Sequence, residues 1–136
     1  MRDLLRKIRG VLGIGLTWGG TWAVIFALTA AIIGIFDPDS IDPGEGPLNV
    51  ARIGAIFGFI SGTAFGLLLA LGERHKKILQ LSMGRAALWG AMSAALVPLL
   101  TPVANSMVII VCPIAAAIAS GSVAIAKKAE RRALTD

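Results

Sequence analysis

Apolar residues in this sequence are gathered into four long runs that short polar segments separate. The runs cover about residues 11–36, 50–71, 86–104 and 107–126. A helix that crosses the hydrocarbon core of a bilayer, about 30 Å thick, needs roughly 20 apolar residues at about 1.5 Å per residue. The pattern therefore predicts an all-α membrane protein in which four transmembrane helices form a bundle, as a single domain over residues 1–136. Two prolines in the third run, Pro98 and Pro102, predict that its regular helix ends near Leu100.

The composition agrees with a membrane protein and excludes several other classes. The chain is 56% hydrophobic and 15% charged, whereas a soluble domain carries about 25% charged residues. Its apolar content excludes disorder, and its single cysteine, Cys112, excludes a disulfide scaffold. The basic N-terminus is also typical of a signal peptide. However, the apolar run that follows it is much longer than the 7–15 residues of a signal sequence, so we expect a retained helix.

The basic residues predict the orientation of the four helices. Twelve of the thirteen lysines and arginines lie in the N-terminal segment, in the connection 73–85 or in the C-terminal tail. The connection 37–49 has no basic residue and carries four acids. Because basic segments stay in the cytoplasm, we expect 37–49 to be an outer loop and both termini to be cytoplasmic. The same charges predict binding to anionic lipid headgroups rather than to nucleic acid.

Small residues recur at helical spacing along the predicted spans. The predicted packing positions are Gly15, Gly19, Ala23, Gly54, Gly58, Gly62, Gly66, Ser120 and Gly121. Helices in lipid associate by close van der Waals contact, which small residues four positions apart allow. We predict that the glycines of the second helix form a groove that receives the small residues of the first helix. The alternative is that this stripe forms a subunit interface or a pore wall.

Short sequence matches suggest an internal repeat. Residues 16–20 resemble 87–91 around a Trp-Gly pair, and residues 60–64 resemble 119–123 around a Ser-Gly pair. A duplicated helical hairpin would explain both matches. Chance similarity between segments rich in glycine and alanine is the alternative.

Two tryptophans and four acids are the candidate ligand-binding residues. Trp18 and Trp22 are one helical turn apart, and Trp22 at least is too deep for an aromatic belt at the headgroups. We expect the two side chains either to pack or to line a lipid, carotenoid or quinone pocket. The weak calcium candidates are Asp37, Asp39, Asp42 and Glu45. A solvated acidic loop is the alternative for these four carboxylates.

The sequence lacks the residues that several functions require. The apolar runs contain no Asp, Glu, Lys or His, which argues against proton-coupled transport and against haem binding by histidine. We expect no catalytic site, no metal and no cofactor. The favoured function is an accessory or scaffold subunit with a membrane-protein partner or a second copy of itself. The alternative is a small oligomeric channel or uncoupled transporter, because a pore can select ions through backbone carbonyls.

Three segments together resemble a family of small bacterial membrane proteins. They are the Trp18-Gly19 pair, the acidic Pro/Gly loop from Asp37 to Pro47, and the segment from Leu81 to Gly90. With the glycine stripe, they are similar to uncharacterised four-span proteins of the bacterial inner membrane. The resemblance implies a multi-pass protein of that membrane and implies no activity.

The predicted orientation can be tested by proteolysis of intact spheroplasts. We expect an added protease to spare epitope tags at both termini, because the membrane shields cytoplasmic segments. A tag placed within residues 37–49 is the control, and the protease should remove it. Cleavage of either terminal tag before the membrane is broken would contradict the orientation.

Overall fold

The computed structural model describes residues 2–40, 42, 44, 46–72, 80–100 and 106–133. Helix accounts for 94% of this part of the chain, which contains no strand. The helices are α1 (Arg2–Phe36), α2 (Pro47–Gly72), α3 (Met83–Leu100) and α4 (Ser106–Ala133), with a short 3-10 helix, Pro38–Ser40, after α1. The predicted all-α class is therefore confirmed.

Three of the helices in the described part are long and apolar enough to cross a membrane. These segments are Ile8–Phe36, Pro47–Gly72 and Val108–Ala133. The third helix, α3, has 18 residues and ends at Leu100, so at 1.5 Å per residue it is roughly 27 Å long. Its predicted continuation to residue 104 lies outside the described residues. The crossing of the membrane by α3, and with it the four-span bundle, stays a prediction.

Local backbone chemistry defines the end of α1 and the start of α2. The Asp37 N–H closes the last turn of α1 on the Ile33 carbonyl at 2.7 Å. Pro38 then ends the helix, because a proline disfavours helical geometry in the residue before it. Gly44 has a φ of 106°, a left-handed conformation that glycine adopts without strain. The Asn49 side chain donates to the Gly44 carbonyl at 2.6 Å, which fastens this turn to the first turn of α2.

The chain forms two compact units, Met1–Thr63 and Ala64–Asp136, which are described separately. The first unit contains α1 and most of α2. These helices run antiparallel, because Gly15 lies beside Thr63 while Trp22 lies beside Gly54. The second unit contains the end of α2 together with α3 and α4.

In the second unit, α3 and α4 also pack as antiparallel neighbours. A β-carbon on Gly90 would lie 2.5 Å from the Ala119 β-carbon and 2.8 Å from the Ala115 carbonyl oxygen. The Cys112 thiol donates to the carbonyl of Ala91 at 3.5 Å. Since a real β-carbon does not approach other atoms so closely, the absence of a side chain at position 90 sets the separation of these two helices.

A small apolar cluster closes the second unit near the start of α3. Leu81, Ala86 and Val123 are buried together, and Leu69 from the end of α2 packs against them. This cluster ties three helical segments of the unit to one another. The unit therefore has its own core, built mainly from alanine and branched aliphatic side chains.

The contact at Gly90 predicts how the second unit responds to one added methyl group. We expect Gly90→Ala to lower the free energy of unfolding by about 1–3 kcal/mol, because overpacking at a close helix contact displaces backbone. The measurement is unfolding in mixed detergent micelles, followed by helical circular dichroism.

Gly121→Ala is the matched control, because a β-carbon on Gly121 would lie in open space among the described residues. It should leave stability unchanged or raise it by up to about 1 kcal/mol, since alanine favours helix over glycine. Equal effects of the two substitutions would show that Gly90 is not a packing constraint.

Candidate functional site

The most specific arrangement of side chains in the first unit is the contact between α1 and α2. On α2, Gly54, Gly58 and Gly62 are buried and form a groove, named here the glycine groove. A β-carbon on Gly54 would lie 2.6 Å from the backbone oxygen of Trp22, and one on Gly58 would lie 2.5 Å from that of Trp18. A β-carbon on Gly62 would lie 2.5 Å from the Trp18 β-carbon. Each of these three positions therefore excludes any side chain.

Aromatic side chains of α1 fill the glycine groove. Trp18 and Trp22 are each 1% exposed. The groove meets the Trp18 side chain at Gly62, the Trp22 side chain at Gly58 and the Phe26 side chain at Gly54. The three aromatic residues are four positions apart, so they form one ridge along α1. The large rings of α1 thus occupy the space that the glycines of α2 leave open.

The predicted small residues of α1 also lie in this contact, at a different place on the helix surface. A β-carbon on Gly15 would lie 2.5 Å from the Thr63 hydroxyl oxygen and 3.3 Å from the Phe59 ring. One on Gly19 would lie 3.1 Å from the Ala55 carbonyl oxygen. Each helix therefore offers glycine where the other offers bulk, and the arrangement is not a contact of small residues with small residues alone.

The rings of the contact form a compact aromatic cluster. Trp22 meets Phe57 edge-on with ring centres 5.0 Å apart, and it meets Phe26 edge-on at 5.8 Å. Phe26 and Phe57 stack at 6.2 Å. Aromatic pairs in such geometries add about 0.5–1.5 kcal/mol each beyond the burial of their surface. The cluster therefore fixes the register of α1 against α2.

The polar atoms in this contact show that shape dominates its chemistry. The Trp22 indole N–H and the Thr63 hydroxyl are buried and have no hydrogen-bond partner among the described residues. Ser61, which is fully buried, donates to the carbonyl of Phe57 at 2.8 Å, one turn earlier on its own helix. Thr17 and Thr21 also donate to carbonyls four residues earlier. These three hydroxyls therefore serve their own helices.

The remaining predicted packing residues are placed as follows. Ala23 is half-buried on α1, and Gly66 is buried on α2 within the second unit. On α4, Ser120 is half-buried and donates to the Ala116 carbonyl at 2.8 Å. Gly121 is exposed. A role for Trp18 and Trp22 as the wall of a lipid or pigment pocket stays a prediction, and their observed surroundings are helix and aromatic side chains.

The acidic loop shows no metal centre in its described part. Asp37, Asp39 and Asp42 are exposed, and Glu45 lies outside the described residues. No group of three or more His, Cys, Asp or Glu side chains in the described segments could hold a metal ion. The described carboxylates thus stand in solvent at the end of α1 and in the turn after it.

Sequence reasoning did not single out the phenylalanines of this site. Phe26 and Phe57 complete the aromatic cluster, and Phe59 packs against Gly15 and Gly19. The spacing of Trp18, Trp22 and Phe26 is the signal that could have identified the ridge, because three aromatic residues at four-residue intervals share one helix face.

No family model, no curated protein and no solved structure matches this chain. The resemblance to small bacterial inner-membrane proteins stays a prediction.

The glycine groove predicts a large effect of a minimal substitution. We expect Gly58→Ala to lower the free energy of unfolding by about 1–3 kcal/mol, because the new methyl group would meet a backbone oxygen that cannot rotate away. The measurement is unfolding of the detergent-solubilised chain, followed by tryptophan fluorescence in a Trp89→Phe background, so that the signal comes from Trp18 and Trp22 alone.

Gly20→Ala on α1 is the control, because a β-carbon there would lie in open space within the described structure. We expect its stability to equal that of the unsubstituted chain or to exceed it by up to about 1 kcal/mol. If Gly58→Ala were as stable as this control, the close contact of α1 with α2 would be refuted.

Proposed function

We propose that this chain is a non-catalytic integral membrane protein that acts as an accessory or scaffold subunit of a larger membrane assembly. In this proposal it crosses the bacterial inner membrane as a four-helix bundle with both termini in the cytoplasm. It binds partners through helix faces and lipid through its basic cytoplasmic ends.

The proposal depends mainly on one observation: the buried helix faces and the exposed helix faces differ in residue type. The buried glycines and tryptophans are used in contacts within the chain, whereas most of the exposed large hydrophobic side chains are aliphatic. Along α1 six of the exposed large residues repeat every four positions with one gap, at Ile8, Leu12, Leu16, Val24, Leu28 and Ile32. Exposed apolar ridges of this length require lipid or another protein.

The length of α1 supports the predicted orientation. With 35 residues, α1 is roughly 52 Å long, which exceeds the hydrocarbon thickness of about 30 Å. Its aliphatic ridge begins at Ile8, so the basic segment before that residue extends beyond the lipid. Anionic headgroups and the positive-inside rule both favour the cytoplasmic side for this segment.

The helix contacts of the two units are similar in form but do not follow the register of the sequence repeat. In the first unit, Gly19 meets Ala55 and Phe59, and in the second unit Gly90 meets Ala115 and Ala119. The two glycines belong to the repeated Trp-Gly pairs, and each contacts positions four residues apart on the next long antiparallel helix. The match of residues 60–64 with 119–123 equates Ala55 and Phe59 with positions 114 and 118, one residue away from the observed contacts, so the duplication rests on the sequence matches alone.

The hydroxyl hydrogen bonds weigh against a polar pore as the main function. Ser93 donates to the Gly90 carbonyl at 2.8 Å, and Ser122 donates to the Ile118 carbonyl at 2.8 Å. Such bonds keep the hydroxyls on their own helices. The groove of glycines, which would be a candidate pore wall, is occupied by indole rings.

The proposal is tested by native mass spectrometry of the chain released from its own membranes in mild detergent. We expect one or more membrane proteins to remain bound at a fixed stoichiometry, because a subunit packs permanently within its assembly. Purified chain reconstituted in liposomes should pass ions and small solutes no faster than empty liposomes do.

Alanine substitution of the exposed aliphatic residues provides the matched variants. Leu28→Ala, Ile56→Ala and Ile125→Ala each shorten one exposed side chain on a different helix. Weakened retention of the partner by at least one of them, with the others unchanged, agrees with a helix-face contact. A chain that carries no stoichiometric partner and makes liposomes permeable would refute the subunit and support the channel.

A further inference from the structure

A cavity at the end of α4 is bordered by four basic side chains, and the proposed function does not assign it a ligand. It lies in the second unit and has a volume of about 600 Å³. Among the described residues its walls are Met83, Ala124, Lys127, Lys128, Arg131 and Arg132. The volume falls in the range of roughly 300–1,000 Å³ of small-molecule sites, although this cavity is an open surface groove, because Met83, Lys128, Arg131 and Arg132 are exposed.

Helical spacing explains why the four cationic side chains border one cavity. Relative to Ala124, the lysines are three and four residues further along α4 and the arginines are seven and eight residues further. These offsets place all five residues on one face of the helix. Lys127 with Arg131, and Lys128 with Arg132, are like-charged pairs four residues apart, a spacing at which such charges repel each other. Glu130, the one carboxylate of α4, is not a described wall residue.

The cavity changes from apolar to cationic along α4. Ala124 and Met83 provide its apolar walls, and Arg132 lies about 12 Å from Ala124 along the helix axis. Ala124 falls inside the predicted fourth span, whereas the lysines and arginines follow that span. A phospholipid has the same order of chemistry, with an acyl chain followed by a charged phosphate. A free phosphate ion would use only the cationic part of the cavity.

We propose that this cavity is a binding site for the headgroup phosphate of an anionic phospholipid. The arginine and lysine groups bind the phosphate oxygens, for which a guanidinium provides paired donors. The first part of an acyl chain lies against Ala124, the wall residue that falls inside a predicted span. This inference rests on the membrane placement of α4 in the proposed function and adds a defined lipid site to it.

The test measures lipid retention by native mass spectrometry after reconstitution in an equal mixture of phosphatidylglycerol and phosphatidylcholine. We expect the unsubstituted chain to retain phosphatidylglycerol preferentially. Lys128→Gln/Arg131→Gln should reduce that preference about tenfold, because two cations that contact the phosphate are lost.

Arg9→Gln/Arg85→Gln is the charge-matched control, because it removes two cations from predicted cytoplasmic segments that do not line the cavity. It should change the lipid preference by less than about twofold. An equal loss in both double variants would show that overall surface charge attracts the lipid, and the site would be refuted.

A second variant tests the apolar part of the cavity without changing any charge. Ala124→Leu fills the wall on the membrane side and should also lower the retention of phosphatidylglycerol. Retention equal to that of the unsubstituted chain would overturn the placement of the acyl chain. Helical circular dichroism of each variant separates loss of the site from loss of the fold.

Two further outcomes distinguish the inference from the proposed function. If millimolar inorganic phosphate displaces the lipid, the cavity binds free phosphate and the lipid assignment fails. If an alkaline carbonate wash releases the chain from membranes, the membrane placement fails, and the proposed function fails with it. A chain that stays in the membrane and shows no lipid preference refutes only the lipid site.

Discussion

The first unit depends on the close approach of two helix backbones, which is possible because α2 lacks side chains at three positions and α1 lacks them at Gly15 and Gly19. The glycines of the groove lie against backbone oxygens and aromatic side chains of α1 at distances that leave no room for a methyl group. In lipid, helices gain nothing from hiding apolar surface from water, so dispersion at short range must provide the attraction. The large rings of Trp18 and Trp22 increase that contact area more than alanines would.

The second unit also relies on close helix packing at a glycine, but with different surrounding residues. Gly90 brings α3 against the backbone and methyl groups of α4, and alanines rather than indoles surround it. Ala94, Ala115 and Ala119 are fully buried there. Both units thus pack closely because glycine leaves out side-chain volume, on both helices in the first unit and at Gly90 of α3 in the second. The first fills the space with aromatic rings, and the second closes it by direct backbone approach.

The sequence was sufficient for the helical class and for three helices of membrane length, because both follow from the size and spacing of the apolar runs. It also pointed to the glycines at four-residue intervals as packing positions. It did not reveal what fills the groove, since a missing side chain can be matched by a methyl group or by an indole. The tendency of small residues to pack against each other in membranes favours a methyl group. Trp18, Trp22 and Phe26 have the same four-residue spacing on the facing helix, so spacing alone does not decide between the two.

Other features could not be predicted from the sequence, because they bring together residues that are distant along the chain. The cavity at the end of α4 has a wall from Met83, whereas the basic residues alone had indicated orientation and attraction to anionic headgroups but no defined site. The acidic loop had the composition of a calcium ligand set, yet composition does not fix where carboxylates point. Asp37 belongs to the closing turn of α1, where backbone hydrogen bonding and the following proline determine its position.

The glycine groove has a consequence for how this sequence can vary. Every glycine codon begins with two guanines, and any single-nucleotide missense change in it introduces a residue with at least a β-carbon. At Gly54, Gly58 and Gly62, no amino acid one nucleotide away can be accommodated unless α1 moves. At Gly54 and Gly58 the nearest atom is a backbone oxygen of α1, which no substitution on the facing helix removes, so these codons should stay unchanged while those of the exposed aliphatic residues diverge.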